Sequence, residues 1–255
     1  PDQWYHADSD TPDKGDPTEM RRVAFIGASS AWVAANLEDP MVPDLLDVVS
    51  DFGYNRVAER GIPKAMEILE EGRAGDRSAS AAAALTVIEA AVAREKDAVR
   101  SIHDIHTGSR DARELVDEAL ASWDAYGEAL EAFILETGSQ GGEGALRIPE
   151  TTAAELAFDD VVPSLAPGIR SQEFNMGQYD RAQEYFQEHP GVLGEVGLSN
   201  GQTRQILNYV NGQRSVLTIK KRVAAVTGEG ITLEQVASYL GILEEIGWIE
   251  MQEGN

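Results

Sequence analysis

The chain has 255 residues, and its 44 aspartate and glutamate residues against 21 lysine and arginine residues give a formal net charge of -23. This acid excess opposes binding to nucleic acid or to an anionic membrane surface, because both require a cationic face on the protein. A hydrophobic content of 42% is ordinary for a folded protein, and the absence of cysteine excludes disulfides and thiolate metal sites.

The first predicted element is an acidic loop, residues 4–17, with the sequence WYHADSDTPDKGDP. It holds a single histidine, His6, among four aspartates. A calcium-binding loop that starts at Asp8 is excluded, because Pro12 and Asp13 occupy the positions that need a ligand and a glycine. Spacing alone favours a solvated acidic loop, or a histidine with ordinary surface hydrogen bonds.

A helix is predicted to follow this loop, from Pro17 to about Leu37. Asp16 can cap it, a proline suits its first position, and Glu19 can reach back as in a capping box. Its middle, residues 23–32, is apolar or small nearly all round, which predicts burial on several sides against a sheet or a larger body. Little in the remaining chain looks like that body.

Three long helical segments come next, over residues 43–71, 78–105 and 109–136. The first should break or bend at Gly53 and at residues 61–63. A short joint at residues 108–109 makes the last two segments antiparallel neighbours. From Thr137 to Pro190, glycines and prolines predict an irregular connection with one short helix near residues 179–188.

The last stretch predicts three short helices, the third of which ends at Gly247, and a strand at residues 248–251. This spacing resembles a winged-helix module. DNA binding would need cations along its second or third helix. The second helix has Lys220, Lys221 and Arg222. Glutamates crowd the third helix, at positions 234, 244 and 245. A packing domain, or a domain that binds a protein partner, is therefore favoured over a DNA-binding one.

The histidine pair at His103 and His106 is a second candidate metal site, since a spacing of three places both imidazoles on one face of a helix. The pair lacks a third ligand and lies at a helix end, where histidine also favours the helix dipole. A structural role is the preferred interpretation. His189 is interpreted as a loop residue.

The acidic loop closely resembles the loop that carries the last metal ligand in the family-28 zinc metallopeptidases, which are aminopeptidases with two co-catalytic zinc ions. In that family the loop leads straight into a helix that packs on the catalytic sheet. The resemblance covers about the first forty residues, with Ala7 where the family has a small hydroxyl residue. The matching positions are Tyr5, His6, Asp10, Thr11, Asp13, Lys14, Asp16 and Pro17.

The resemblance implies that His6 is a zinc ligand, that Asp10 orients its far ring nitrogen, and that Tyr5 hydrogen-bonds the developing oxyanion. Lys14 and Asp13 would pair to hold the loop shut. The family's other ligands come from an α/β domain before this loop, and no corresponding motif follows His6. The chain is thus expected to be the C-terminal piece of a two-zinc aminopeptidase and to be inactive alone, its partners being a peptide substrate and the N-terminal part of its catalytic domain.

The expected fold is mainly α. Residues 1–39 would end an α/β peptidase domain, 40–138 would form a helical bundle, 139–190 a linker, and 191–255 a winged-helix-like domain. No nucleic acid or membrane partner is expected, and export of the parent enzyme is left open. The alternative is a non-catalytic helical interaction or scaffold protein whose winged-helix-like module binds a protein partner.

Overall fold

The computed structural model describes residues 16–106, 108–140, 146–170, 176–227 and 230–253. Within these ranges the protein is mainly helical, as predicted, with one two-stranded sheet. None of the helices in them is long and apolar enough to cross a membrane.

The helices, in chain order, are α1 Pro17–Ala35, α2 Val42–Arg56, α3 Ile62–Glu71, α4 Arg77–Arg100, α5 Ile102–Ile105, α6 Arg110–Ser139, α7 Ala153–Asp159, α8 Pro167–Arg170, α9 Met176–Glu188, α10 Val192–Val196, α11 Asn200–Tyr209, α12 Val216–Thr227 and α13 Leu233–Ile246. The strands are β1 Val161–Leu165 and β2 Ile249–Glu253. A π-helical turn, Val57–Gly61, joins α2 to α3.

The chain divides into two compact units. One is formed by residues 1–54 and 95–124, and the other by residues 55–94 and 125–255. The division of the sequence into the four domains predicted above stays a prediction.

The core of the first unit is built around Trp123, whose side chain is fully buried and stacks on Tyr54 with 4.3 Å between ring centroids. The segment was predicted to break or bend at Gly53, yet this residue lies inside α2. A Cβ at this position would lie 2.7 Å from the indole ring, so the absence of a side chain is what lets the indole pack there.

The predicted bend near Pro63 is the π-helical turn. Proline has no N–H and its ring clashes with the carbonyl four residues back in a regular helix. Here the Ile62 N–H donates to the Val57 carbonyl five residues back, which widens the turn just before the proline. The helical path therefore continues into α3 rather than stopping.

In the second unit, α3 and the π-helical turn bury a residue at every fourth position along residues 57–69. Small residues permit close helix packing at two places. A Cβ on Gly61 would lie 3.1 Å from Ala91, and a Cβ on Gly127 would lie 3.3 Å from Val92.

The C-terminal part of the second unit has α11, α12, α13 and the two strands around a common core. Helices α7, α11 and α13 begin with capping boxes, at Thr152, Ser199 and Thr232 respectively. Gly247, with a φ of 81°, ends α13 in the left-handed conformation, as predicted. The core residues are Ile206, Val210, Val216, Leu217, Ile219, Val223, Ile231, Leu233, Val236, Leu240, Leu243 and Ile249.

The sheet differs from the sequence-based expectation, because β1 comes from the segment predicted to be an irregular connection. It pairs antiparallel with β2 in a register that sets Val161 opposite Glu253 and Leu165 opposite Ile249. The strand was not predicted because it contains Pro163, and proline cannot donate a hydrogen bond within a sheet. Each strand of a two-stranded sheet has one edge that does not face the other strand, so a proline is tolerated there. The Pro163 carbonyl accepts a hydrogen bond from the Gly212 N–H, which is outside the sheet, at 3.0 Å.

Candidate functional site

The residues predicted to form the zinc site, Tyr5, His6 and Asp10, lie outside the described residues, as do Asp13 and Lys14. The structure begins at the residue that joins this loop to α1. What it does describe is the helix that the loop enters and the surroundings of the remaining histidines.

The start of α1 follows the prediction in part. Asp16 is its N-cap, with Oδ1 accepting a hydrogen bond from the Thr18 N–H at 2.7 Å, and Pro17 occupies the first helical position. The predicted capping box is wrong, because the Glu19 carboxylate accepts a hydrogen bond from Arg22 instead. The Asp16 side chain therefore caps the first turn of α1.

The apolar surface of α1 is exposed all round, and no residue of this helix is buried. Burial on several sides was predicted, and nothing in the described residues provides it. Exposed apolar side chains of this size and number are unusual on one helix of a folded protein, because each retains the hydration cost that burial would remove. The largest are Met20 (62% exposed), Val23 (69%), Phe25 (72%), Ile26 (63%) and Trp32 (60%).

The histidine pair does not share a helix face. Helix α4 ends at Arg100, α5 is a single turn, and His106 follows it in an extended conformation with φ -114° and ψ 113°. Each imidazole has its own carboxylate: His106 Nε2 lies 2.8 Å from Asp39 Oδ1, and His103 Nε2 lies 3.4 Å from Asp117 Oδ1. Across the described ranges, no group of three or more histidine, aspartate or glutamate side chains could hold a metal ion.

Asp39, His106 and Ser109 do not form a catalytic triad, although they are close together. The Ser109 N–H donates to both carboxylate oxygens of Asp39, at 3.1 and 3.3 Å, while the Ser109 hydroxyl accepts from the Ala112 N–H and caps α6. Hydrogen bonds from Ser109, to which His106 adds, hold the pKa of Asp39 below its ordinary value. In a triad the imidazole lies between the carboxylate and the hydroxyl, whereas here Asp39 contacts both His106 and Ser109. The arrangement fixes the segment between α5 and α6.

Gly108 completes this structural cluster. A Cβ at position 108 would overlap Asp39 Oδ1 and the His106 ring, so only glycine fits between them. His189, predicted to lie in a loop, follows the last residue of α9, with its ring centroid 4.4 Å from that of Tyr185.

The sequence interpretation missed a cavity with a cationic lining, near Arg56, Arg60 and Lys64. The four-residue spacing of these cations was the signal that could have revealed it, because it places them on one helix face. Comparisons of the chain with protein-family models, with curated proteins and with solved structures found no match.

Proposed function

We propose that this chain is the C-terminal region of a zinc-dependent aminopeptidase and that His6 is one of its zinc ligands. The proposed reaction is hydrolysis of an N-terminal peptide bond. Bound zinc would supply a water of lowered pKa and would polarise the scissile carbonyl.

The observation that carries the proposal is the exposed apolar surface of α1. The family resemblance leads from the ligand loop straight into a helix that packs on the catalytic sheet. In this chain the loop enters a helix at Pro17, and that helix presents Phe25 and Trp32 to solvent. A helix that is apolar all round is stabilised when a larger body covers it. The α/β domain that the resemblance places before the loop would be that body.

The residues of the loop have the chemistry that the proposed roles need. The neutral imidazole of His6 is a common zinc ligand, and a carboxylate such as Asp10 can accept a hydrogen bond from its other ring nitrogen and fix its orientation. The Tyr5 hydroxyl can donate to the developing oxyanion. No set of zinc ligands exists among the described residues. The proposal therefore assigns the other ligands to the preceding α/β domain and expects this chain alone to be inactive.

The test is hydrolysis of an aminoacyl anilide by the protein in which this chain follows its α/β domain. His6→Ala should abolish turnover, and Asp10→Asn should lower kcat/KM by about 10–100-fold, the usual effect of removing a hydrogen-bond partner of a zinc ligand. His189→Ala, which removes an exposed histidine outside the loop, is the matched control and should retain activity. Undiminished hydrolysis by the His6 variant would contradict the assignment.

A second candidate is a non-catalytic interaction protein whose C-terminal part binds a protein partner. Helices α11–α13 and β2 support the description of that part as winged-helix-like. The cations of α12 lie close to groups of their own fold. Arg222 lies over the Tyr209 ring at 5.7 Å. Hydrogen bonds from Thr152 lower the pKa of Glu155, and the charge of Lys220 adds to this effect. Because these cations interact with residues of the same chain, a protein partner is favoured over nucleic acid.

The sequence of the preceding domain separates the two candidates. An HxD motif and a Glu-Glu pair at predicted strand ends would support the peptidase. Their absence from a preceding domain would leave the interaction protein as the better proposal. For the interaction protein, duplex DNA titrated into the full chain should show no salt-dependent binding.

A further inference from the structure

A cavity of about 480 Å³ lies within the second unit, between the start of α3, the middle of α4 and the end of α12. We call it the cationic cavity. Its volume is within the range of small-molecule binding sites, roughly 300–1,000 Å³. The described residues that line it are Arg56, Arg60, Gly61, Lys64, Val87, Ala90, Ala91, Arg94, Ala225, Val226 and Thr227.

The charge of the lining is opposite to that of the chain. The sequence has 44 acidic and 21 basic residues, so a random set of charged side chains would be about two-thirds acidic. Among the described residues, the four charged side chains that line the cationic cavity are instead all cations. Converging like charges repel one another. A bound anion would relieve that repulsion.

Local structure explains how three of these cations converge. Arg56, Arg60 and Lys64 follow one another at intervals of four residues through the π-helical turn, which places them along one side of the helical path. Opposite them, α4 contributes Ala90 and Ala91, whose short side chains leave the space empty. Single-turn π-helices of this kind are frequent at functional sites.

One carboxylate outside this lining pairs with Lys64. Lys64 Nζ lies 2.8 Å from Glu67, but both side chains are about half exposed, and surface pairs of this kind contribute little. An adjoining cavity of about 350 Å³ shares Lys64 and adds Lys220, and the described residues that line it include one carboxylate, that of Glu71. The cationic lining therefore extends further along the same surface.

We infer that the cationic cavity binds a small polyanion, a molecule with two or more phosphate or carboxylate groups. Arginine guanidinium groups recognise both kinds of oxyanion through paired N–H donors, and the ammonium group of Lys64 adds a point charge. Because the chain has a net charge of -23, its overall field repels anions. Saturable anion binding must therefore arise from a local cluster of cations. The inference does not depend on the proposed peptidase activity.

The test is isothermal titration of the full chain with inorganic pyrophosphate and, separately, with citrate, at constant ionic strength. The two probes distinguish a phosphate-bearing from a carboxylate-bearing ligand. The variants are Arg60→Gln and Lys64→Gln, since Arg56 and Arg94 also take part in other interactions within the protein. Arg110→Gln is the matched control, because Arg110 is an exposed arginine that pairs with Glu114 on α6.

A fourth variant, Val226→Glu, places a carboxylate among the cations. Val226 is 49% exposed, so this change is tolerated by the fold, which the circular dichroism spectrum and thermal midpoint without ligand would verify. At least one probe should bind to the unchanged chain at a single site. Arg60→Gln and Lys64→Gln should each raise Kd by roughly tenfold, and Val226→Glu should abolish binding.

Arg110→Gln should leave Kd within about twofold, as expected for a surface change away from the site. The inference is overturned if neither probe binds at millimolar concentration. It is equally overturned if the Arg110 variant weakens binding as much as the Arg60 and Lys64 variants, because the anion would then respond to overall charge alone.

Discussion

Asp39 and His106 are 67 positions apart in the chain, and their side chains meet with 2.8 Å between Asp39 Oδ1 and His106 Nε2. The imidazole is only 4% exposed, and the same carboxylate accepts from the Ser109 N–H. This contact fastens the segment between α5 and α6 to the residues that precede α2. Its contribution to stability can be measured.

Replacing His106 with alanine should destabilise the protein by about 2 kcal/mol, because the change removes a buried ring and leaves Asp39 without one of its partners. His103→Ala is the matched control. His103 is 28% exposed at its side chain and lies 3.4 Å from Asp117, so its loss should cost less than about 0.5 kcal/mol. Urea denaturation of both variants checks this. Equal losses would contradict the structural role of His106.

Asp39 should stabilise the folded protein, and this stabilisation should decrease as the pH becomes acidic. Its pKa is lowered in the folded protein, chiefly by hydrogen bonds from Ser109, relative to the ordinary aspartate value of about 3.9. A lowered pKa means that the stabilisation is fully present above the unfolded pKa and is lost as pH falls through the folded pKa. The stability difference between the unchanged chain and Asp39→Asn should therefore shrink from about pH 5 to about pH 2. A difference that stays constant over this range would contradict it.

Gly108→Ala should disrupt the contact between Asp39 and His106, because the added methyl group would overlap both side chains. Gly27→Ala is the matched control in α1, where no described atom outside the local helix backbone and the two neighbouring residues lies within 4 Å of the added group. This second change should stabilise the protein slightly or leave it unchanged, since alanine favours helix more than glycine by up to about 1 kcal/mol. Thermal denaturation should give opposite signs for the two variants. Loss of stability in the Gly27 variant alone would contradict the structure.

The exposed apolar surface of α1 predicts that the effect of a mutation there on stability depends on whether the proposed α/β domain is present. Phe25 is 72% exposed, so Phe25→Asp in this chain should change the free energy of unfolding by less than about 0.5 kcal/mol. In the protein that includes the proposed α/β domain, the same change would bury an unpaired carboxylate and should cost roughly 3 kcal/mol or more. Arg21→Asp, a change on the same helix that removes no large apolar side chain, should have little effect in either form. Equal effects of Phe25→Asp in both forms would argue against a covering domain.

Much of the helical fold could be predicted because its signals are local. Asp16 and Pro17 begin α1 as expected, α6 spans Arg110–Ser139 against a predicted 109–136, and Gly247 ends α13. Capping and helical periodicity act within a few residues, so a single sequence contains them.

The features that the sequence did not reveal depend on distant contacts. The predicted helix over residues 78–105 ends early, and His106 leaves the helical path to contact Asp39, far along the chain. Strand β1 was missed because Pro163 argues against a strand, while its partner β2 lies near the other end of the C-terminal part. The cationic cavity likewise depends in part on a distant element. The spacing of its cations indicates a helix face, but no local pattern predicts that Val226 of α12 lines the same cavity as Arg60.

The measurement that tests the central claim most directly is the zinc content of the protein in which this chain follows its α/β domain. After dialysis and reconstitution, the unchanged protein and the His189→Ala control should each hold about two zinc ions per molecule, the number expected for a co-catalytic site. His6→Ala should hold at least one ion fewer, with its circular dichroism spectrum unchanged. A His6 variant that retains the zinc content of the unchanged protein would contradict the account.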